Sequence, residues 1–447
     1  MILNHYKSEA KLVKGFLQVK SRNKTVKILC QGFYPDIVAA GELLFELAER
    51  LVNSHDVNVS VLTAQPSFVK KDKLPSKEIL NGVSIKRLNI FNFNKNTLGG
   101  KILNSWSFFF KVLFTVIFAS RYDWLLIPTS PPLLPLIGVV AKFLYGQKYI
   151  YLMHDIYPET ASKLGYISED GILYKIWKFL NKISLKNADK IIVLSEDMRL
   201  KLTDSIEDID LEKISIIHNW SNEDLMKIIP KKENYFLDKY GLRDKFIVEY
   251  SGNLGRIHEF NTLLKAAKEL NNHENIVFLF IGDGGKKSEI ESFVKNHGLK
   301  NVRMLPYQER SELPLSLGMA DIQILSLEKG YEKLAVPSKF YGILASGKPV
   351  MFIGDKNCHI ARVIENNNCG FNIETDNYKV LANAIAYFEK SRDELIVYGH
   401  SSRKTFENNF TLNKAINLYL DCINKEREFV YEKILFDSKR LLINSAG

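Results

Sequence analysis

The length and composition of the chain indicate a folded protein of more than one domain. It has 447 residues, enough for two or three domains, of which 46% are hydrophobic and 25% charged. This balance excludes disordered, collagen-like and low-complexity chains. The four cysteines form no CxxC pairs, so we expect neither a zinc knuckle nor a disulfide framework, and a reducing compartment fits best. The first residues lack an apolar core, so no secretory signal is predicted.

The net charge of +10 is concentrated near the start of the chain. Before residue 126 there are 18 basic and 9 acidic residues, whereas residues 221–447 contain 32 and 30. We expect residues 1–24 to form a basic N-terminal extension. Such a charge suits nucleic acid, an anionic membrane or a phosphorylated substrate. No RNA-binding module with stacking aromatic residues is visible, so we expect no nucleic-acid partner.

Strands and helices alternate through residues 25–222. Leucines at helical spacing predict a helix over 39–52, and a second helix is predicted at about 171–187. Apolar or alternating runs predict strands at 25–30, 57–63, 83–88, 124–127, 148–153 and 190–194. This alternation predicts a doubly wound parallel sheet, the first of two Rossmann-like domains.

Two apolar segments in this half, 105–119 and 127–140, allow two interpretations. The first is interrupted by Lys111 and too short to span a bilayer, and the second contains four prolines, so we predict no transmembrane helix. One interpretation is a buried helix that covers the sheet. The other is a membrane-proximal patch at about 95–145 that contacts an anionic bilayer through apolar and basic side chains. The basic residues are Lys95, Lys101 and Arg121.

The alternation begins again after a polar stretch at about 222–243. A helix is predicted at about 259–271, and strands at 246–250, 276–281, 301–305, 322–325 and 349–353. We therefore predict an α/β protein whose second Rossmann-like domain, over 223–410, faces the first domain (25–222) across a cleft. Residues 411–447 are predicted to form a C-terminal helix that packs back on the first domain.

Three loops of the second half, at 251–256, 282–285 and 335–350, contain glycines, and the first and third also contain basic residues. In open parallel sheets, ligands bind at the carboxyl ends of strands, where backbone N–H groups attract phosphate. Arg256 and Lys339 would supply two cations for a diphosphate. Pro337 is predicted at the first position of a helix, with Ser338 after it. The absence of GxGxxG after the first strand and of GxxxxGK[ST] disfavours a dehydrogenase or a P-loop enzyme. The other loop residues are Gly252, Asn253, Gly255, Gly282 and Asp283.

The order of these motifs resembles that of family 4 retaining glycosyltransferases of the GT-B fold. The matching segments are 33–35 with 40–41, 154–155, 252–256, 282–284 and 336–350, the last (VPSKFYGILASGKPV) being the most specific. The resemblance covers about residues 25–425 and looks most like enzymes of bacterial colanic acid and O-antigen synthesis. It implies a sugar nucleotide on the C-terminal domain and an acceptor on the N-terminal domain. No metal or other cofactor is implied, because basic side chains and a helix N-terminus take the metal's role.

The resemblance also implies roles for single residues. His154 matches the histidine near the reacting centre, and Arg256 matches the diphosphate arginine. Asn261 stands where the family has a lysine, which makes Lys339 the candidate replacement. Ala40 stands where the family has the first glycine of a pair. The remaining implied contacts are Ser338 and Gly41 with the diphosphate, and Leu305, Pro306 and Tyr307 with the base.

Two positions that hold glutamates in many family members are Leu334 and Gly342 in this chain. Neither side chain can accept a hydrogen bond from a sugar hydroxyl. The nearest upstream acidic residues, Glu328 and Glu332, are the candidates for contact with the donor sugar. The identity of that sugar stays open.

The resulting expectation is a glycosyltransferase of the hexosyl or N-acetylhexosaminyl type. It would transfer a sugar from a nucleoside diphosphate sugar to a lipid-linked saccharide in the synthesis of a surface polysaccharide such as an O-antigen or capsule. We expect it to be cytoplasmic and peripheral on the inner face of the cytoplasmic membrane. Two alternatives stay open: a nucleotide-sugar epimerase, which needs no acceptor, and a noncatalytic membrane-surface binding protein, which transfers nothing.

Overall fold

Two α/β domains, each built on its own sheet, form the part of the chain that the computed structural model describes. The described residues are 23–36, 39–55, 57–66, 73–91, 93, 97–119, 121–206 and 208–424. The predicted N-terminal extension lies outside them apart from residues 23 and 24, as do Lys95 and the residues after 424. The predicted fold class is confirmed.

The first sheet contains eight strands: β1 (Thr25–Leu29), β2 (Asn58–Ala64), β3 (Lys77–Leu80), β4 (Val83–Leu88), β5 (Trp124–Pro128), β6 (Tyr149–Met153), β7 (Lys190–Val193) and β8 (Ile214–Ile216). Their order is β3-β4-β2-β1-β5-β6-β7-β8. All neighbours are parallel except the edge pair β3 and β4. Strands β5 and β6 are buried along their whole length, as expected where helices cover both faces of a parallel sheet.

Helices cover both faces of this sheet. They are α1 (Ala39–His55), α2 (Leu98–Ile117), α3 (Leu136–Tyr145), α4 (Glu159–Lys163), α5 (Ile172–Asn187) and α6 (Glu196–Ser205). Helix α1 packs on one face, and α3 lies between α2 and α5 on the other. Phe108 and Val112 of α2 are buried against the sheet, whereas Phe110 and Phe114 are exposed. The apolar segment 105–119 therefore covers the sheet with one side and has an apolar outer side.

The second sheet contains six strands: β9 (Phe246–Ser251), β10 (Ile276–Ile281), β11 (Val302–Leu305), β12 (Ile322–Ser326), β13 (Val350–Ile353) and β14 (Gly370–Ile373). All are parallel, in the order β11-β10-β9-β12-β13-β14. The accompanying helices are α7 (Phe236–Lys239), α8 (Asn261–Glu269), α9 (Lys287–His297), α10 (Leu313–Gly318), α11 (Lys339–Ala345), α12 (His359–Asn366), α13 (Tyr378–Lys390) and α14 (Arg392–Asn409).

The chain returns to the first domain after α14. Helix α15 (Leu412–Asn424) packs against α1, and Trp124 Nε1 donates a hydrogen bond to the Ile423 carbonyl at 3.2 Å. Ser221 and Thr411 form an isolated β-bridge where the chain leaves and re-enters this domain. Within the described ranges, no helix is both long enough and apolar enough to cross a membrane.

Two details differ from the sequence prediction. Strands β3 and β14 were not predicted, because each is four residues long and neither is a continuous apolar run. Helix α11 begins at Lys339, so the prediction that Pro337 occupies its first position is wrong. The reason is a turn ahead of the helix, in which the Phe340 N–H donates to the Pro337 carbonyl at 3.1 Å. Ser338 is the N-cap residue, and its side chain makes no capping hydrogen bond.

Candidate active site

The loops after β9 and β10 lie side by side at the carboxyl ends of the second sheet. The Gly252 N–H donates to the Ile281 carbonyl at 2.8 Å, and the Leu254 N–H donates to the Asp283 carbonyl at 2.8 Å. Gly252 (φ +125°) and Gly282 (φ +136°) have backbone conformations that other residues rarely adopt. A Cβ on Gly282 would lie 2.1 Å from the Gly252 carbonyl oxygen, so the close approach of these loops requires glycine.

Alanine at position 282 should destabilise the domain. We expect Gly282→Ala to lower the free energy of unfolding by about 3 kcal/mol, because the methyl group would meet backbone atoms and φ is unfavourable. Gly285→Ala is the matched control, since its Cβ would meet Arg256 Cγ at an ordinary 3.6 Å. It should change stability by less than about 1 kcal/mol. Chemical denaturation measures both values, and equal stabilities of the two variants would contradict the close approach.

Lys339 holds its ammonium group over the first of these loops. Its Nζ donates to the Tyr250 hydroxyl and lies 3.4 Å from the Asn253 carbonyl oxygen. A Cβ on Gly252 would lie 3.3 Å from the same nitrogen, so the loop backbone and the ammonium are neighbours. Burial lowers the pKa of Lys339 well below its ordinary value. An anion bound beside it would therefore favour the charged form and raise that pKa.

Arg256 extends from the end of the same loop toward the first domain. Its guanidinium carbon lies 5.9 Å from the ring centre of Tyr166, a residue of the first domain. The side chain is exposed, and within the described part of the chain it forms no ion pair. The structure therefore brings Arg256 and Lys339 to one loop and leaves the guanidinium facing the cleft between the domains.

The predicted base-binding segment lies against the second loop. The Gly282 N–H donates to the Leu305 carbonyl at 3.0 Å, and the Tyr307 hydroxyl donates to the Asp283 carbonyl at 3.2 Å. Pro306 lies between these two contacts in the chain. The Tyr307 side chain is 44% exposed, so part of its ring is accessible to a planar ligand.

The segment that follows β6 of the first domain begins with His154 and meets the second domain at Asp155 and Ile156. Asp155 forms a β-bridge with Ala335, and the Ile156 N–H donates to the Leu334 carbonyl at 2.9 Å. Burial lowers the pKa of His154 to about 4 and raises the pKa of Asp155 to about 6. At neutral pH the imidazole of His154 is therefore uncharged, and it can donate one hydrogen bond and accept another.

The two candidate glutamates differ in their surroundings. The Glu328 carboxylate pairs with the Lys286 ammonium at 2.5 Å, and the Glu328 N–H donates to the Ile257 carbonyl at 2.8 Å. Because Ile257 follows Arg256, Glu328 lies next to the loop after β9 that contains Arg256. Glu332 accepts a hydrogen bond from a backbone N–H within its own turn at 2.8 Å. Sequence reasoning missed Lys286, since nothing in its local sequence distinguishes it from other lysines.

The start of α1 forms the wall of the cleft opposite the second domain. Gly41 is buried, and a Cβ there would lie 2.9 Å from the Gly32 carbonyl oxygen, so the small residue allows the helix to approach the loop after β1. The next residue, Glu42, accepts from Arg310 of the second domain at 2.8 Å, and Arg310 also pairs with Glu46. Arg310 is a second residue that the sequence analysis missed, because its partners lie more than 260 positions away.

Arg256, Arg310 and the glycine loops after β9 and β10 lie where the second domain meets the first. The part of the chain that the structure describes contains no group of three or more His, Cys, Asp or Glu side chains arranged to hold a metal ion. A guanidinium, an ammonium and the N–H groups of glycine loops suit a diphosphate. The molecule is thus a two-domain α/β protein in which two basic side chains and two glycine loops meet at the carboxyl ends of the second sheet.

Two family models match the two halves of the chain. "Glycosyltransferase Family 4" matches residues 40–225, and "Glycosyl transferases group 1" matches residues 233–409. Together they cover most of the chain, which belongs to the GT-B glycosyltransferases related to family 4. The resemblance stated from the sequence motifs and the enzyme class are both confirmed.

Curated relatives of the chain include bacterial glycosyltransferases. The chain is 26% identical over 305 residues to the probable glycosyltransferase WbjE of Pseudomonas aeruginosa, across 68% of this chain and 75% of WbjE. It is 24% identical over 235 residues to the putative colanic acid biosynthesis glycosyl transferase WcaI of Escherichia coli, across 52% of this chain and 57% of WcaI. The match thus spans little more than half of WcaI. The enzyme is related to bacterial polysaccharide biosynthesis glycosyltransferases.

Solved structures share the fold over nearly the whole chain. Sucrose-phosphate synthase from Thermosynechococcus elongatus superposes with a TM-score of 0.71 at 15% identity, covering 93% of this chain and 100% of that one. HepE of Anabaena, solved in complex with UDP and glucose, superposes with a TM-score of 0.69 at 14% identity, covering 90% and 100%. At these identities the likeness establishes the GT-B architecture.

Proposed function

We propose that this enzyme transfers a sugar from a nucleoside diphosphate sugar to a lipid-linked saccharide, with retention of the anomeric configuration and without a metal ion. The observation that carries this proposal is the pair of cations at one loop: the Lys339 ammonium over Asn253 and the Arg256 guanidinium facing the cleft. Together they would stabilise the negative charge that develops on the departing diphosphate. The UDP and glucose bound to HepE support a nucleotide sugar as donor, and the similarity to WcaI, a putative colanic acid biosynthesis enzyme, supports a role in polysaccharide synthesis.

Each wall of the cleft supplies a different part of the proposed site. The exposed part of the Tyr307 ring stacks on the nucleotide base, and the backbone N–H groups of Asn253 and Ser338 donate to the diphosphate. Gly41 lets the first domain come close on the opposite side. The neutral imidazole of His154 donates a hydrogen bond to the donor sugar or the acceptor.

The Lys286–Glu328 ion pair is the candidate replacement for the family's sugar-binding glutamate. The Glu328 carboxylate lies beside the loop that contains Arg256. Lys286 binds its Oε1, so its Oε2 can accept a hydrogen bond from a sugar hydroxyl. Leu334 cannot serve, since its side chain is apolar and its carbonyl already accepts a hydrogen bond from the first domain.

The first domain carries the acceptor in this proposal. A lipid-linked saccharide stays at the membrane, so the enzyme must work at the bilayer surface, on the inner face of the cytoplasmic membrane where nucleotide sugars are supplied. The membrane-proximal patch at about 95–145 suits this location, because Trp106, Phe110 and Phe114 of α2 are exposed beside Lys101 and Lys111.

A thermal-shift screen of nucleoside diphosphate sugars, followed by transfer assays with EDTA present, tests the proposal. The true donor should raise the melting temperature by mass action. Incubation with that donor should then glycosylate a lipid-linked saccharide extract, and without an acceptor the sugar should stay unchanged. Conversion of the donor to its epimer without an acceptor would support the epimerase instead. Donor binding without transfer to any lipid-linked acceptor, or activity that EDTA abolishes, would contradict the proposal.

Replacement of His154 should separate catalysis from donor binding. We expect His154→Ala to lower turnover about 100-fold, because a hydrogen bond at the reacting centre is lost, with the thermal shift caused by the donor nearly unchanged. His154→Gln, which keeps a donor and an acceptor, should recover part of the rate. His297→Ala is a control at an exposed histidine of α9. A lower melting temperature of His154→Ala without donor would show a structural role instead.

A further inference from the structure

Helix α5 exposes an apolar surface that the predicted membrane-proximal patch does not include. Ile172 is 73% exposed, Leu173 66% and Phe179 62%, and Ile176 between them is also exposed. These four residues occupy neighbouring positions on one side of the first two turns of the helix. Large apolar side chains in a contiguous exposed group indicate a binding surface.

The inner side of the same helix is fixed to the segment that carries His154. The Trp177 ring stacks on Tyr157 at 5.4 Å, with 9° between the ring planes. Asn181 Nδ2 donates to the Tyr157 carbonyl at 2.9 Å, and the Tyr151 hydroxyl donates to Asn181 Oδ1 at 2.7 Å. The outward direction of the exposed apolar residues is therefore set by β6 and by the chain that leaves it.

The apolar end of α5 is also its end nearest the cleft. Tyr166, which lies against Arg256 of the second domain, precedes Ile172 by six positions. The more distant half of α5 carries Lys182 and Lys186 instead of exposed apolar residues. A surface that contacted this end of the helix would lie beside the opening of the cleft.

Charge identifies the kind of surface that fits. Helices α2, α3 and α5 contain seven lysines and not one aspartate or glutamate, and the acidic residues nearest in sequence to the apolar end of α5 are the exposed Glu169 and Asp170 in the turn before it. Among the lysines, Lys175 and Lys178 are exposed beside the apolar residues of α5. Apolar and aromatic side chains bordered by lysines suit the interface of an anionic bilayer, where rings enter the headgroup region and ammonium groups meet lipid phosphates. A second copy of this chain docked on the same helices would bring lysines against lysines.

We infer that the outer face of α5 inserts into an anionic lipid bilayer and, together with α2, orients the cleft so that its His154 side opens at the membrane surface. This inference rests on the proposed function, because it names the surface from which a lipid-linked acceptor enters. Helices α2 and α5 lie on either side of α3, so the bilayer would contact the enzyme along two separate helices. Contact along both helices prevents rotation of the enzyme about either helix axis.

Flotation of the full chain with vesicles of phosphatidylglycerol and phosphatidylcholine tests the inference. The wild-type protein should float with these vesicles, less so in high salt, and poorly with phosphatidylcholine alone. The double variant I172E/L173E should weaken vesicle binding about tenfold or more, because it places two anionic groups where apolar side chains would enter the bilayer. K175E/K178E should weaken binding in low salt and make it less sensitive to salt.

The variant I396E/V397E on α14 is the matched control, because it changes two adjacent exposed apolar residues of the second domain that are 54% and 57% exposed. It should float like the wild type. Equal flotation of I172E/L173E and the wild type would overturn the inference. The inference would also be overturned if the wild type bound no vesicles and formed a dimer that I172E/L173E dissociates. The outer face of α5 would then bind a second copy of the chain instead of a bilayer. Vesicle binding is measured without any sugar, so it does not depend on the proposed reaction. If the wild type floats with the vesicles but transfers no sugar, the proposed function is contradicted and the membrane contact is not.

Discussion

Arg256→Ala is expected to reduce sugar transfer about 100- to 1,000-fold, the range observed when one group that stabilises a developing negative charge is removed. The guanidinium faces the cleft and has no carboxylate partner in the described part of the chain, so its removal leaves no buried charge unpaired. Stability should therefore change by less than about 0.5 kcal/mol. Steady-state kinetics and chemical denaturation measure the two quantities.

Arg256→Lys and a remote arginine provide the controls for this result. A lysine keeps the charge but not the planar fork of donors, so we expect it to recover only part of the rate. Arg303→Ala removes an exposed arginine of β11 in the same domain and should leave kinetics unchanged. Full activity of Arg256→Ala would show that the diphosphate is held elsewhere.

Lys339→Met should weaken donor binding and lower turnover about 100-fold, because the variant keeps the alkyl stem over Tyr250 and loses the charge.

The pH dependence of donor binding gives a more specific test of the role of Lys339. Burial lowers the pKa of Lys339, and a bound diphosphate would raise it again. Binding should therefore take up a proton, and affinity should fall as pH rises between the pKa of the free protein and that of the complex.

Calorimetry in two buffers of different ionisation enthalpy measures this proton uptake. The titrant is UDP above pH 7, where its terminal phosphate is already largely ionised. Wild type should show uptake that Lys339→Met lacks, and Lys268→Met, at an exposed lysine of α8, should behave like the wild type. The same uptake in wild type and Lys339→Met would contradict the assignment of the ammonium to the diphosphate.

The sequence predicted the buried strands well, because a parallel sheet covered on both faces needs continuous apolar runs. Strand β10 is such a run and matches its predicted bounds, 276–281. Strand β3 escaped prediction because it is a four-residue edge strand whose pairing with β4 depends on the turn between them. Helix α11 was predicted at its correct place, with its start displaced because the turn at Pro337 does not continue into the helix.

The candidate site was predictable where one loop supplies several groups, as at Gly252 and Arg256. It was less predictable where two distant segments meet. The bond from Ile156 to the Leu334 carbonyl depends on how the two domains pack, and local sequence contains no signal for it. Arg310 is a similar case, since its role depends on α1 placing two glutamates opposite it.

The glutamate position at Gly342 shows a further limit of motif reasoning. A Cβ there would meet only a Leu317 methyl group at an ordinary 3.7 Å, so packing does not require glycine. Nothing in the structure explains why this position lacks a side chain.

A crystal structure of the enzyme with UDP is the most direct test of the central claim. We expect diphosphate oxygens within about 3 Å of both the Arg256 guanidinium and the Lys339 ammonium, with the base beside Tyr307. A diphosphate bound away from these two groups, or held by a metal ion between them, would contradict it.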